Sequence, residues 1–80
     1  MRLDKYLKVT RIIKRRTVAN DACDAARVTV NDRPAKASYD VKEGDIIKVA
    51  FGARTLTVRV LTVKEIVGKA DATALYEVIE

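Results

Sequence analysis

The sequence predicts an α+β domain: two N-terminal helices packed on a small, mostly antiparallel twisted β-sheet. Three observations carry that reading. Apolar residues recur at helical spacing up to residue 26, and after residue 27 the period changes to two. Turn residues punctuate the alternating runs. The 80 residues are 49% hydrophobic and 34% charged with Gly 3 and Pro 1, which suits one small independently folding domain and not a disordered or low-complexity chain. No internal repeat or linker interrupts it, so residues 1–80 are read as a single domain.

The first helix follows from Leu3, Tyr6, Leu7 and Thr10, which fall within one arc of about 100°. Arg2, Lys5 and Lys8 share a second arc on the other side, so one face packs and a basic face is left to bind. Thr17 reads as the N-cap of a second helix. Its stripe is Val18, Ala19, Ala22, Ala25 and Ala26, with Asn20, Asp21 and Asp24 facing away and Asp21 near the positive helix end. A stripe of small side chains lets the first helix approach closely, with Arg11 to Arg16 as the connection. Arg16, beside the cap, is expected at a convex corner that packing does not need.

Beyond residue 27 the period becomes two. Val28 and Val30 alternate with Thr29 and Asn31, and Asn31-Asp32 before Arg33-Pro34 is turn chemistry leading to a short strand around Ala35 to Ala37. Lys42-Glu43-Gly44-Asp45 is another turn. Ile47, Val49 and Phe51 share a face of the next strand, and Leu56, Val58 and Val60 a face of the one after. The alternation slips at Val60-Leu61, for which a β-bulge is the simplest cause. Leu75 to Ile79 make a final strand after a polar loop.

The same inventory narrows the chemistry. One cysteine and no histidine rule out an internal disulfide and leave no plausible zinc or haem site, and no cofactor is expected. Gly44, Gly52 and Gly68 stand alone, so there is no glycine-rich phosphate loop. No nucleophile with a matched base is evident, which argues against an enzyme. The longest apolar runs, Val49-Ala50-Phe51 and Ala74-Leu75-Tyr76, are too short to cross a bilayer, and a soluble cytoplasmic chain with no membrane partner is expected.

Charge is distributed unevenly. Lys+Arg 16 against Asp+Glu 11 give a net +5. Residues 1–16 carry seven basic side chains and one acidic, net +6, while residues 17–80 carry nine basic and ten acidic, net −1. A basic surface confined to one helix hairpin suits structured RNA, whose helices display phosphates and ribose hydroxyls and hide their base edges. Arginine forks contact phosphate in pairs of hydrogen bonds and stack on bases. With Phe51 the sole phenylalanine and no tryptophan, a sheet of stacking aromatics is not expected, so the helices should carry the contact. The candidate RNA-binding residues are Arg2, Lys8, Arg11, Arg15 and Arg16, with Lys5 and Lys14 as weaker members. Asp4 should orient one of these cations or stabilise the helix start. Cys23 and Tyr6 read as packing residues. A helix-turn-helix DNA reader is disfavoured, because the second helix is acidic and alanine-rich.

Several ordered blocks resemble a known family. Arg2-Leu3-Asp4-Lys5-Tyr6-Leu7, then Thr10-Arg11, Lys14-Arg15-Arg16-Thr17, Ala26-Arg27-Val28-Thr29-Val30-Asn31 and Val41-Lys42-Glu43-Gly44-Asp45 are similar to the alpha-L RNA-binding motif, or S-four domain. The motif spans residues 2–45, leaving 46–80 as the remaining sheet. Two positions depart from it: Ala26 and Asp32 stand where the family usually has glycine. The resemblance implies that Arg2 and Arg16 occupy the positions most tied to RNA. Among free-standing members, the opening segment and Lys36 to Val41 are most similar to bacterial ribosome quality-control factors. That likeness implies a monomer that binds the obstructed large ribosomal subunit through rRNA and peptidyl-tRNA. It would hold the P-site tRNA while an RqcH-type partner on the same subunit directs alanine tailing of the stalled chain. A general ribosome-associated or heat-shock-type factor of the same fold, acting without alanine tailing, is the alternative.

Overall fold

Leu3, Tyr6 and Leu7 are fully buried in the computed structural model, which describes residues 1–63 and 75–79. They lie on helix α1 (Leu3–Val9) and pack against Ala19 and Cys23 of helix α2 (Arg16–Asp24). The helix pair covers one face of a five-stranded antiparallel sheet: β1 (Val28–Val30), β2 (Arg33–Pro34), β3 (Ile46–Phe51), β4 (Arg54–Val60) and β5 (Tyr76–Val78), in the order β2-β1-β3-β4-β5. The expected fold class is the one observed.

Register places the core. Val30 pairs with Ile47 and Ile47 with Val58, a row of β-branched side chains on the buried face, and Val28 pairs with Val49 beside it. Tyr6 donates its hydroxyl to the Leu75 carbonyl at 2.7 Å, tying the first helix to the residue that precedes the last strand. Burial, with Tyr76 nearby, pushes the Tyr6 phenol well above its ordinary range, so it stays a donor.

Several expectations shift in detail. Helix α2 starts at Arg16, with Arg15 in the extended cap position and no side-chain cap bond, so Thr17 is not the N-cap. Asp21 falls outside the first turn. The buried stripe is Ala19 and Cys23 with half-buried Ala22, whereas Val18, Ala25 and Ala26 are exposed. The strand anticipated at Ala35 to Ala37 lies earlier, at Arg33–Pro34, because the two-residue Asn31-Asp32 turn returns the chain at once. Both turn residues have positive φ (53° and 67°), the pattern of a type I′ hairpin. Phe51 stands on the core face of β3 but at its exposed end. Near the expected slip, the N–H groups of Leu61 and Thr62 both donate to the Leu75 carbonyl, at 2.9 and 3.3 Å, which is the two-against-one pattern of a bulge. The polar loop before the last strand lies outside the described residues.

Ala26 meets its departure from the family pattern by adopting the left-handed conformation itself, at φ 59°. Arg27 N–H donates to the Ala22 carbonyl and Ala26 N–H to the Cys23 carbonyl, the two bonds of a Schellman motif. The Lys42–Asp45 turn is anchored by Asp45. Its carboxylate accepts from Asn31 Nδ2 (3.1 Å), the Tyr39 hydroxyl (2.9 Å) and Lys42 N–H (2.9 Å), while Asn31 Oδ1 accepts from Ile46 N–H (3.0 Å). This network fastens the β1–β2 hairpin to the turn and raises the Tyr39 phenol above its ordinary range through the bond to Asp45.

Candidate nucleic-acid interface

The two helices begin side by side, and their first residues meet at one carboxylate. Arg2 is the extended residue that precedes α1, and Arg16 opens α2. Between them Asp4 is 2% exposed. Arg2 donates from Nε to Asp4 Oδ1 at 3.2 Å and from Nη2 to Oδ2 at 3.4 Å, and Arg16 donates from Nε to Oδ2 at 3.3 Å. Lys5 N–H adds a 2.8 Å bond to Oδ1. Burial alone would raise the Asp4 pKa, but the bonds from Arg16, Arg2 and Lys5 N–H outweigh it and hold the carboxyl below its ordinary value. Asp4 is therefore ionised at neutral pH and orients two cations, where the sequence suggested one.

The arrangement keeps the guanidinium groups outward. Both arginine side chains are about half exposed, 50% and 46%, although each has spent Nε, and Arg2 also one Nη2 donor, on the buried acid. An arginine has five N–H donors. The two forks thus face solvent with donors left over, from a geometry fixed at their inner edges. Arg16 is exposed, as expected, but packing does not ignore it: its Nε helps neutralise a buried charge. Beside the pair an open depression is lined by Arg2, Asp4, Arg16, Thr17, Asn20 and Asp21.

The other candidate cations lie on α1 and on the connection between the two helices. Lys8 is exposed in the last turn of α1, and Lys5 is half-buried on the same helix. Thr10 closes α1 from within by donating its hydroxyl to the Tyr6 and Leu7 carbonyls. That closure throws Arg11 into the left-handed region at φ 63°, with its side chain exposed. Lys14 and Arg15 are exposed on the connection that follows. All seven lie on α1 or the residues that lead into and open α2, and the structure brings Arg2 and Arg16 into contact with a common partner.

Cys23 is buried and unpaired. Burial first, then the charges of Asp4 and Asp24, push its thiol up to about 11, so it is not a nucleophile at neutral pH. Among the described residues no group of three or more His, Cys, Asp or Glu is placed to hold a metal ion. No helix among them is long and apolar enough to cross a membrane. Sequence reasoning missed Arg27 and the exposed ring of Phe51, which line a groove on the opposite flank of α2 from Asn20 and Asp21. The only sequence signal for it is that Phe51 closes a strand just before Gly52.

Residues 1–47 match the S4 domain. The "RQC P-site tRNA stabilizing factor" of Halalkalibacterium halodurans is 54% identical over 78 residues, covering 98% of this chain and 89% of that protein. The protein of the same name from Bacillus subtilis is 46% identical over 80 residues, covering 100% and 93%. Among solved structures, the trimeric Heat Shock Protein 15 of Vibrio cholerae superposes with a TM-score of 0.90 at 29% identity, covering 98% of this chain and 80% of that one.

Proposed function

This chain belongs to the S4 domain family, and from that premise we propose that it is a non-enzymatic RNA-binding factor of ribosome quality control. It binds the large ribosomal subunit left obstructed by peptidyl-tRNA and stabilises the tRNA in the P site while an RqcH-type partner directs C-terminal alanine tailing. It works in the cytoplasm, where its target is, and as a monomer. The relatives named for P-site tRNA stabilisation, which match this chain nearly end to end, support the process.

One observation carries the molecular reading: Arg2 and Arg16 are held on the buried Asp4 with their outer donors exposed. Two oriented forks fit adjacent phosphates of a rigid RNA backbone, and their orientation is paid for in the fold before RNA arrives. Arg11, Lys14, Arg15, Lys5 and Lys8 extend the field along the same hairpin. Shape and phosphate spacing are what such a surface reads.

The test is co-sedimentation with large subunits, purified with or without peptidyl-tRNA, over a range of salt. Binding that favours the obstructed subunit and falls with a log-log slope of several units, at about 0.7–0.9 per phosphate contacted, is the expected result. A slope near zero overturns the electrostatic site. The likeness to Heat Shock Protein 15 favours a second reading, a heat-shock-type factor acting on the same subunits without alanine tailing. Loss of alanine tails from stalled chains in cells lacking this protein separates the two. A gel-filtration mass measurement decides between a monomer and a trimer.

A further inference from the structure

We propose that the groove between α2 and the tip of the β3–β4 hairpin receives one unpaired nucleotide of the bound RNA, its base against Phe51 and its phosphate on Lys14 or Arg27. This rests on the RNA-binding reading above. The groove encloses about 510 Å³. Its walls are Ile12, Val18 and Ala22 on the helical side and Phe51 on the sheet side, with Lys14 and Arg27 also lining it. No carboxylate lines it.

Phe51 and Val18 are 43% and 49% exposed, large apolar side chains left in water on facing elements. Phe51 follows Ile47 and Val49 on the same face of β3, so its ring carries the core surface past the end of the core. Gly52, at φ 58° in the first position of the two-residue turn to Arg54, fixes that ring at the hairpin tip. The patch is too small for a stable protein partner, which needs about 1,000 Å² of interface. It suits one planar base, because any base stacks on an aromatic face. Two cations and no acid make it complementary to the phosphate on the same nucleotide. Lys14 also joins the groove to the basic connection that leads to Arg16, so an RNA that passes around the start of α2 can reach both.

The chain has no tryptophan, so Phe51→Trp installs a single reporter at the groove. The probes are an RNA hairpin with a single-nucleotide bulge and the same hairpin fully paired. The bulged hairpin should quench the Trp emission strongly and the paired one weakly. Phe51→Ala and Phe51→Leu should both lose at least about five-fold in affinity for the bulged hairpin, with the paired hairpin little affected. Leucine keeps the apolar bulk without the ring face, and thermal unfolding confirms that it folds. Arg16→Ala should weaken both hairpins. If the Phe51 variants bind both hairpins as the parent does while Arg16→Ala does not, the groove is not a nucleotide site, a weak, transient protein contact becomes the better assignment, and the RNA-binding reading survives. A parent that ignores the bulged hairpin also overturns the proposal. If it fails to bind large subunits as well, both readings fall.

Discussion

Arg2 and Arg16 share a single buried carboxylate, Arg2 spanning both oxygens with Nε 3.2 Å from Asp4 Oδ1 and Nη2 3.4 Å from Oδ2, and Arg16 Nε lying 3.3 Å from Oδ2. An acidic residue is thereby the organising element of a basic surface. The two guanidinium groups would repel each other without it, and each would lose the fixed inner edge that aims its remaining donors outward.

A counter-intuitive outcome follows for Asp4→Asn. The substitution raises the net charge by one, and general electrostatic attraction would then tighten RNA binding. The geometry says the opposite: the amide accepts weakly and leaves both arginines without an ionic partner, so affinity for large subunits should fall several-fold. Stability should fall by about 1–3 kcal/mol, because the lost hydrogen bonds are to charged groups. Urea unfolding and co-sedimentation measure the two effects. Tighter binding by the variant would show that field, not orientation, governs the site.

Asp4 also sets an acid dependence. Its folded pKa lies below the ordinary value of 3.8, so its contribution to stability is fully present above that value and is lost as pH falls through the folded pKa. The urea midpoints of the parent and of Asp4→Asn should therefore converge as pH is lowered from 6 toward 2. A gap that stays constant over that range would mean that the carboxylate is not held by the arginines.

Ala26 offers a stabilising change. A non-glycine residue in the left-handed region costs about 1–2 kcal/mol, and glycine gives back part of that relief through its greater unfolded-state freedom. Ala26→Gly should raise stability by about 0.5–1 kcal/mol, seen as a higher thermal midpoint. RNA affinity should not change, since Ala26 lies at the far end of α2 from Arg16 and glycine keeps the left-handed cap that places Arg27.

Much of this was legible in the sequence. Leu3, Tyr6 and Leu7 at helical spacing, and the Ile47/Val49 and Val58/Val60 alternations, report burial directly because one face of each element must leave water. The Asn31-Asp32 turn was legible because these residue types tolerate positive φ. What escaped was tertiary. Thr17 has cap chemistry, yet the cap position falls two residues earlier, at Arg15, and Arg16 opens the helix while reaching back to Asp4, a long-range bond that no local pattern shows. Val18 fits an apolar stripe by spacing, but of that stripe Ala19 is the fully buried member, with Cys23 beside it, and Val18 is left exposed. The sharing of Asp4 by two arginines from different helices depends on how the helices meet, which no local pattern encodes.

Cys23 tests the interior of the same hairpin. With its thiol buried and raised to about 11, iodoacetamide at pH 7.5 should modify the folded protein far more slowly than the urea-unfolded one. Modification at the unfolded rate under native conditions would mean that α2 opens readily from α1.

Arg16 and Thr17 are neighbours whose substitutions should separate binding from folding. Thr17 is exposed and makes no cap bond, so Thr17→Ala should change stability by no more than about 0.5 kcal/mol and leave RNA affinity near the parent's. Arg16→Ala removes one of the two forks from Asp4. The acid keeps Arg2 and the Lys5 N–H, so the fold should survive with a loss of about 0.5–1.5 kcal/mol. Binding should suffer more, by roughly 1.5–3 kcal/mol for a charge-assisted phosphate contact, or about ten- to hundred-fold. The salt slope should drop by about 0.7–0.9 if one phosphate contact is lost. Arg16→Lys refines the point, since it keeps the charge without the fork: the slope should return toward the parent's while much of the affinity loss remains. If Arg16→Lys restores both, the residue supplies charge alone and the oriented pair is not what RNA reads. If Arg16→Ala binds large subunits as the parent does, the RNA contact lies elsewhere on the hairpin and Arg16 serves only to hold Asp4.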